Sequence, residues 1–214
     1  MTPSSVRPLA FAALVASLPL QLSAQEVVSL FNTDADGWTA VDTPDPGPGI
    51  PPTILAVYAP TYEPTGSGSG FVQLADPTQG PTFYWRAPAK FLGDVSFAYG
   101  SFLRFSIRDD GDVSYFMFPD VILTGAGLTL EYSMNTLDYP IGPDFVSYSI
   151  PLTESAWSNV TGDGSAPTHA QMEAVLGDMD GLYIRGEYLN GPDVGALDSV
   201  SLIGDVIFAN GFEY

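Results

Sequence analysis

The 214-residue chain contains no cysteine and one histidine, and its six Lys and Arg face 25 Asp and Glu. Without cysteine there are no disulfides, thiol nucleophiles, cysteine-ligated zinc clusters or CxxC redox pairs. A domain of this size must then rest on its hydrophobic core, with a metal as the remaining staple. The single histidine, His169, and the lack of a Gly-x-Ser-x-Gly elbow leave little room for triad chemistry. The shortage of positive charge excludes a phosphate-binding surface, so nucleic acid is not an expected partner. Long apolar runs are also missing. The longest, Leu9 to Leu20, is too short to span a bilayer and is interrupted by Pro19.

That run follows Arg7 and precedes "QLSA", which gives residues 1–24 the layout of a secretory signal peptide cleaved after Ala24. The expected mature protein is exported, extracellular or periplasmic, with no membrane span. Residues 25–208 form the expected domain, and residues 209–214 a short tail.

Thirteen Phe, eleven Tyr and three Trp supply the core. Alternation of apolar and polar residues marks strands at "LTLEY" (128–132), "VSYSIPL" (146–152), "LYIRGEY" (182–188) and "LDSVSLIGDVIF" (197–208). In "VSFAYGSFLRFSI" (95–107) the same period puts Phe97, Tyr99, Leu103, Phe105 and Ile107 on one face, with Phe102 breaking the pattern. Gly, Pro and Asp clusters punctuate the strands, a pattern of sandwiches and jelly rolls. One helix interrupts the series. Thr168 and Gln171 make a capping box, and Met172, Val175, Leu176 and Met179 form an apolar stripe. The expected fold is an all-β jelly-roll sandwich with one short helix. Residues 44–70 read as proline-rich loops around one short strand.

The stretch "FNTDADGW" (31–38) alternates Asn32, Asp34 and Asp36 ahead of Gly37, like the first half of a calcium loop. Thr43 stands where an EF-hand would need Glu, so a twelve-residue loop is excluded. The competing reading is an Asx turn.

Sugar rings stack on exposed aromatic faces while short polar side chains bond their hydroxyls. Tyr58, Tyr62, Tyr115 and Phe116 are the candidates for such a platform. Trp38, Trp85 and Trp157 are expected in the core. Paired carboxylates could instead hydrolyse a glycan, but Glu131, Glu154 and Glu187 stand singly.

From Phe83 onward the chain resembles the laminin IV type A (laminin B) domain. The residues that carry the resemblance are Tyr84, Trp85, Ala87 and Pro88, then Phe91, Leu92 and Gly93, then Tyr99 and Gly100. "DVILTGAGLTLEY", "YSIPLTESAW", "MEAVLGDMDGLYIRGEY" and "ALDSVSL" follow in the family's order, so the resemblance covers roughly residues 82–202. It implies a jelly-roll sandwich and a non-catalytic binding or adhesion module, with a glycan or an extracellular-matrix or cell-surface component as partner. The alternative is a carboxylate-dependent glycan hydrolase or lyase. "FNTDADGW" also resembles the opening of carbohydrate-binding jelly rolls, which implies a structural calcium held by Asp34 or Asp36 with Asp198. The tail "IFANGFEY" resembles endings of secreted Gram-negative bacterial proteins. None of the cysteine-rich repeats that flank the laminin domain is present.

Overall fold

The structure is a computed structural model that describes residues 25–42, 57–66, 69–77, 82–110, 118–134, 141–189 and 192–204. The expected signal peptide, the tail, Tyr115 and Phe116 lie outside the described residues.

Two antiparallel sheets pack face to face. The strands are β1 (Glu26–Ser29), β2 (Thr39–Asp42), β3 (Val57–Tyr58), β4 (Thr61–Pro64), β5 (Gly70–Ala75), β6 (Phe83–Arg86) and β7 (Phe102–Asp109). They continue with β8 (Val121–Gly125), β9 (Leu128–Tyr132), β10 (Val146–Pro151), β11 (Trp157–Asn159), β12 (Met179–Arg185) and β13 (Val194–Ile203). One sheet runs β10-β7-β13-β5-β4, with β1 added to the far half of β13. The other runs β11-β9-β8-β12-β6-β2-β3. Among the described residues, the expected jelly-roll sandwich with one short helix is what forms.

Period-two alternation explains the packing. In β7, Leu103, Phe105 and Ile107 are buried between the sheets, and Phe102 and Arg104 point outward. Trp38, Trp85 and Trp157 all lie in the core. Helix α1 (His169–Gly177) packs against β8, and its Thr168–Gln171 capping box forms as expected. Met172, Val175 and Leu176 are buried, while Met179 opens β12.

The stretch 95–107 is not a continuous strand. Ser96–Ala98 is a 3₁₀ turn, Gly100 takes φ +81°, and β7 begins only at Phe102. The Val95 N–H goes to the Leu176 carbonyl, so docking to the helix replaces a sheet ladder here. In the proline-rich segment, β3 and β4 are edge strands of opposite sheets.

The outer faces of the sheets differ. On the seven-stranded sheet Val41, Tyr84, Ile122 and Tyr183 form a second buried cluster. The outer face of the six-stranded sheet carries a groove of about 310 Å³. That face is the candidate binding surface.

Candidate ligand-binding face

The groove crosses β10, β7, β13 and β1. Ser106, Ser147, Ser149, Ser199 and Ser201 line it with Arg104 and Leu30. Strand alternation brings Ser106, Ser147 and Ser149 to one side, because Leu103, Phe105, Ile107, Tyr148 and Ile150 occupy the other, and a bulge in β13 at Ser199 adds Ser199 and Ser201. Ser106 and Ser147 bond to each other through their hydroxyls at 2.8 Å.

Beside the groove the same face carries an aromatic pair and a polar row. Phe71 of β5 meets Phe145, just before β10, edge-on at 5.4 Å between ring centroids. The Arg108 guanidinium lies 4.7 Å from the Phe71 ring and 5.2 Å from the Phe145 ring. Ala196 of β13 is in register with both Gln73 and Arg108, which places those two side chains on one row. Arg108 Nη2 donates to Gln73 Oε1 and Gln73 Nε2 donates to Glu63 Oε1, each at 3.3 Å. Among the described residues, neither Arg104 nor Arg108 forms an ion pair. Leu30, Phe102 and Phe145, three of the exposed large hydrophobics, border this face.

Of the expected platform residues, Tyr58 and Tyr62 lie on edge strands of opposite sheets. Tyr58, on edge strand β3, is half-buried against the core, and its hydroxyl donates to Asp42 Oδ2 at 3.0 Å. Burial and that hydrogen bond raise its pKa. Tyr62, on β4, pairs with core-facing Val72 and donates its hydroxyl to the Asn32 carbonyl at 3.1 Å. Phe71, Gln73, Arg108 and Phe145 were not singled out from the sequence. The available signal was in "FVQLA" and "FLRFSIRD", where the outward phase of each strand holds an aromatic and a hydrogen-bonding side chain.

The structure brings Asp34 and Asp36 together in the β1–β2 turn. The Asp36 N–H donates to Asp34 Oδ1 at 2.7 Å, which is an Asx turn. Asp36 Oδ2 accepts from Ser29 Oγ at 2.8 Å and pairs with Lys90. Asp198 is on β13 opposite Ser106, on the outer face, and partial burial raises its carboxyl. Among the described residues no three His, Cys, Asp or Glu side chains form a metal-holding group.

Glu154, Tyr99 and His169 form a local cluster. The Tyr99 hydroxyl donates to Glu154 Oε1 at 2.7 Å, and His169 Nδ1 lies 3.0 Å from the same oxygen. Glu187 is buried, and its Oε2 accepts from the Phe83 N–H at 3.3 Å.

Residues 84–204 match the family described as Laminin B (Domain IV). The mouse basement membrane-specific heparan sulfate proteoglycan core protein is 30% identical over 151 residues, covering 67% of this chain and 4% of that protein. Horse laminin subunit gamma-2 is 30% identical over 185 residues, covering 85% of this chain and 14% of that subunit. The chain thus spans a small part of the curated relatives it matches. The solved L4b domain of human laminin alpha-2 superposes with a TM-score of 0.67 at 16% identity, over 84% of this chain and 97% of that domain. The matched segment is more than half of the chain, and it holds the tryptophans of β6 and β11, the capped helix and all of β13. The chain belongs to the laminin B (domain IV) family.

Proposed function

We propose that the protein is a non-catalytic, exported binding or adhesion module that takes carbohydrate on the outer face of its six-stranded sheet. The observation that carries this reading is the Phe71–Phe145 pair beside the Arg108–Gln73–Glu63 row. Rings give a sugar an apolar stacking surface. The arginine, amide and carboxylate supply donors and acceptors for neighbouring hydroxyls, and the serine-lined groove extends the polar track. Kinship with laminin and basement membrane proteins supports export and a matrix or cell-surface partner.

A glycan array probed with the mature protein tests the reading. Phe145→Ala is expected to weaken binding by about tenfold, the upper range of one aromatic contact, and Arg108→Ala by at least as much. Loss of binding in Tyr58→Phe or Tyr62→Phe, with the Phe145 variant unaffected, would move the platform to β3 and β4. New reducing ends in polysaccharide digests would overturn the non-catalytic reading.

A structural calcium held by Asp34 or Asp36 with Asp198 is a separate proposal, supported by the acidic excess of the chain. To bind Asp36 the ion has to displace the Lys90 ammonium. Thermal unfolding in EDTA and in millimolar calcium tests it. The proposal requires a melting temperature that climbs with calcium by mass action, and an unchanged value ends it.

A further inference from the structure

One end of the sandwich gathers five acidic residues, three of them buried. Asp109 ends β7 and is fully buried. Glu187 follows β12 and Asp193 precedes β13, exposed by only 6% and 5%. Asp76, just after β5, donates its N–H to the Asp193 carbonyl at 3.0 Å. Asp110 Oδ1 accepts from the Val194 N–H at 2.7 Å.

Two of these carboxylates accept backbone N–H groups, Asp109 from the segment after β12 in the opposite layer and Glu187 from β6, the neighbour of β12 in its own sheet. Asp109 Oδ2 accepts from the Tyr188 N–H at 2.9 Å, and Glu187 Oε2 accepts from the Phe83 N–H. Asp193 is different: both of its carboxylate oxygens are buried, no backbone or cationic donor reaches them, and the side chain they meet is the carboxyl of Asp109. Two residues further on, the layers approach too closely for a side chain at position 195. A Cβ on Gly195 would sit 2.0 Å from the Gly186 carbonyl oxygen.

The nearby cations are occupied. The Arg185 Nε donates to the Glu187 carbonyl at 2.6 Å, and its Nη1 lies 3.6 Å from Asp120 Oδ1. Arg108 is held by Gln73 on the outer face. An ionised carboxylate buried without a donor or counter-charge is costly, and a carboxyl group avoids that cost by keeping its proton.

We propose that Asp193, Asp109 and Glu187 form a proton-holding clasp that joins the two sheets at this end and is loosened when its carboxyl groups ionise. Burial first, then the neighbouring Asp109 and Glu187, push Asp193 up to about 8. Burial and then Asp76 push Glu187 up to about 7. Beyond Arg185, burial raises Asp120 to about 6. These acids bind protons in the folded chain that the unfolded chain has already released, so stability falls as pH rises. The loss begins above the ordinary carboxyl range near 4 and is complete once pH passes about 8.

The composition makes the effect measurable. With no cysteine and one histidine, His169 is the one side chain whose ordinary titration falls between pH 6 and 9. A stability slope in that window that survives in His169→Gln and is flattened in Asp193→Asn therefore belongs to carboxyl groups.

Melting temperature is measured from pH 5 to 9.5 for the native chain, His169→Gln, Asp193→Asn and Glu187→Gln. The native chain and His169→Gln are expected to melt progressively lower as pH rises. Asp193→Asn is expected to flatten the curve and to melt above the native chain at pH 9. Carbon-13 NMR titration of the side-chain carboxyls adds a readout that does not depend on the variants folding, with two carboxyl groups expected to titrate above pH 6.5. A flat native profile, or the absence of such carboxyls, overturns the clasp. So does a slope that millimolar calcium abolishes and EDTA restores, since a cation and not a proton would then neutralise the cluster.

Discussion

Ser29 links the core to the surface. Its hydroxyl accepts from the buried indole N–H of Trp38 at 2.9 Å and donates to Asp36 Oδ2 at 2.8 Å. On the other side of Asp36, Lys90 binds both that carboxylate and the Val28 carbonyl of β1. The two ends of this relay differ in value. Lys90 and Asp36 are more than a third exposed, so removing the ammonium as Lys90→Met should cost no more than about 1 kcal/mol. Ser29→Ala leaves a buried indole donor without a partner, and the expected loss is about 1–3 kcal/mol. Urea unfolding of the two variants checks the order, and a larger loss at Lys90 would contradict it. The acidic alternation in "FNTDADGW" was legible in the sequence, and so was its reading as an Asx turn. That Asp36 meets a lysine was not, because Lys90 lies 54 residues away and spacing carries no information about such a partner.

At the scale of elements, local signals translated directly into structure. The capping box at Thr168 and Gln171 forms because both partners lie within one turn of chain. "LTLEY" is β9 to the residue, since its alternation sits between a tight Gly turn and a loop. The stretch 95–107 misled because the apolar period continues through a 3₁₀ turn, and only the contact of Val95 with Leu176 of the helix decides between the two. Phe102 broke the pattern for a physical reason: it faces outward, with the Arg104 guanidinium 5.6 Å from its ring. Faces were harder to read than strands. Which outward phase is covered and which stays open depends on the packing of whole sheets. The sequence therefore points to tyrosines of the proline-rich segment, whereas the proposed Phe71–Phe145 platform comes together only when the strands are packed.

Across the whole molecule the formal charge is −19, and ion pairs do little to offset it. Among the described residues the cationic side chains in salt bridges are Lys90, Arg185 and, when protonated, His169. The net negative charge is therefore left largely uncompensated, and the resulting repulsion is greater in the compact state than in the expanded chain. Salt screens it with a Debye length of about 10 Å at 0.1 M, whereas the buried core and the Arg185–Asp120 pair are screened far less. Raising sodium chloride from about 0.01 to 0.3 M at pH 7 should thus increase the melting temperature. Screening of favourable surface pairs would produce the opposite sign, and the few pairs present make it the smaller effect. Sodium and potassium chloride should act alike, because screening depends on ionic strength and not on which cation is present. A melting temperature that falls with either salt would mean that specific surface pairs, and not net repulsion, dominate the electrostatics of this fold.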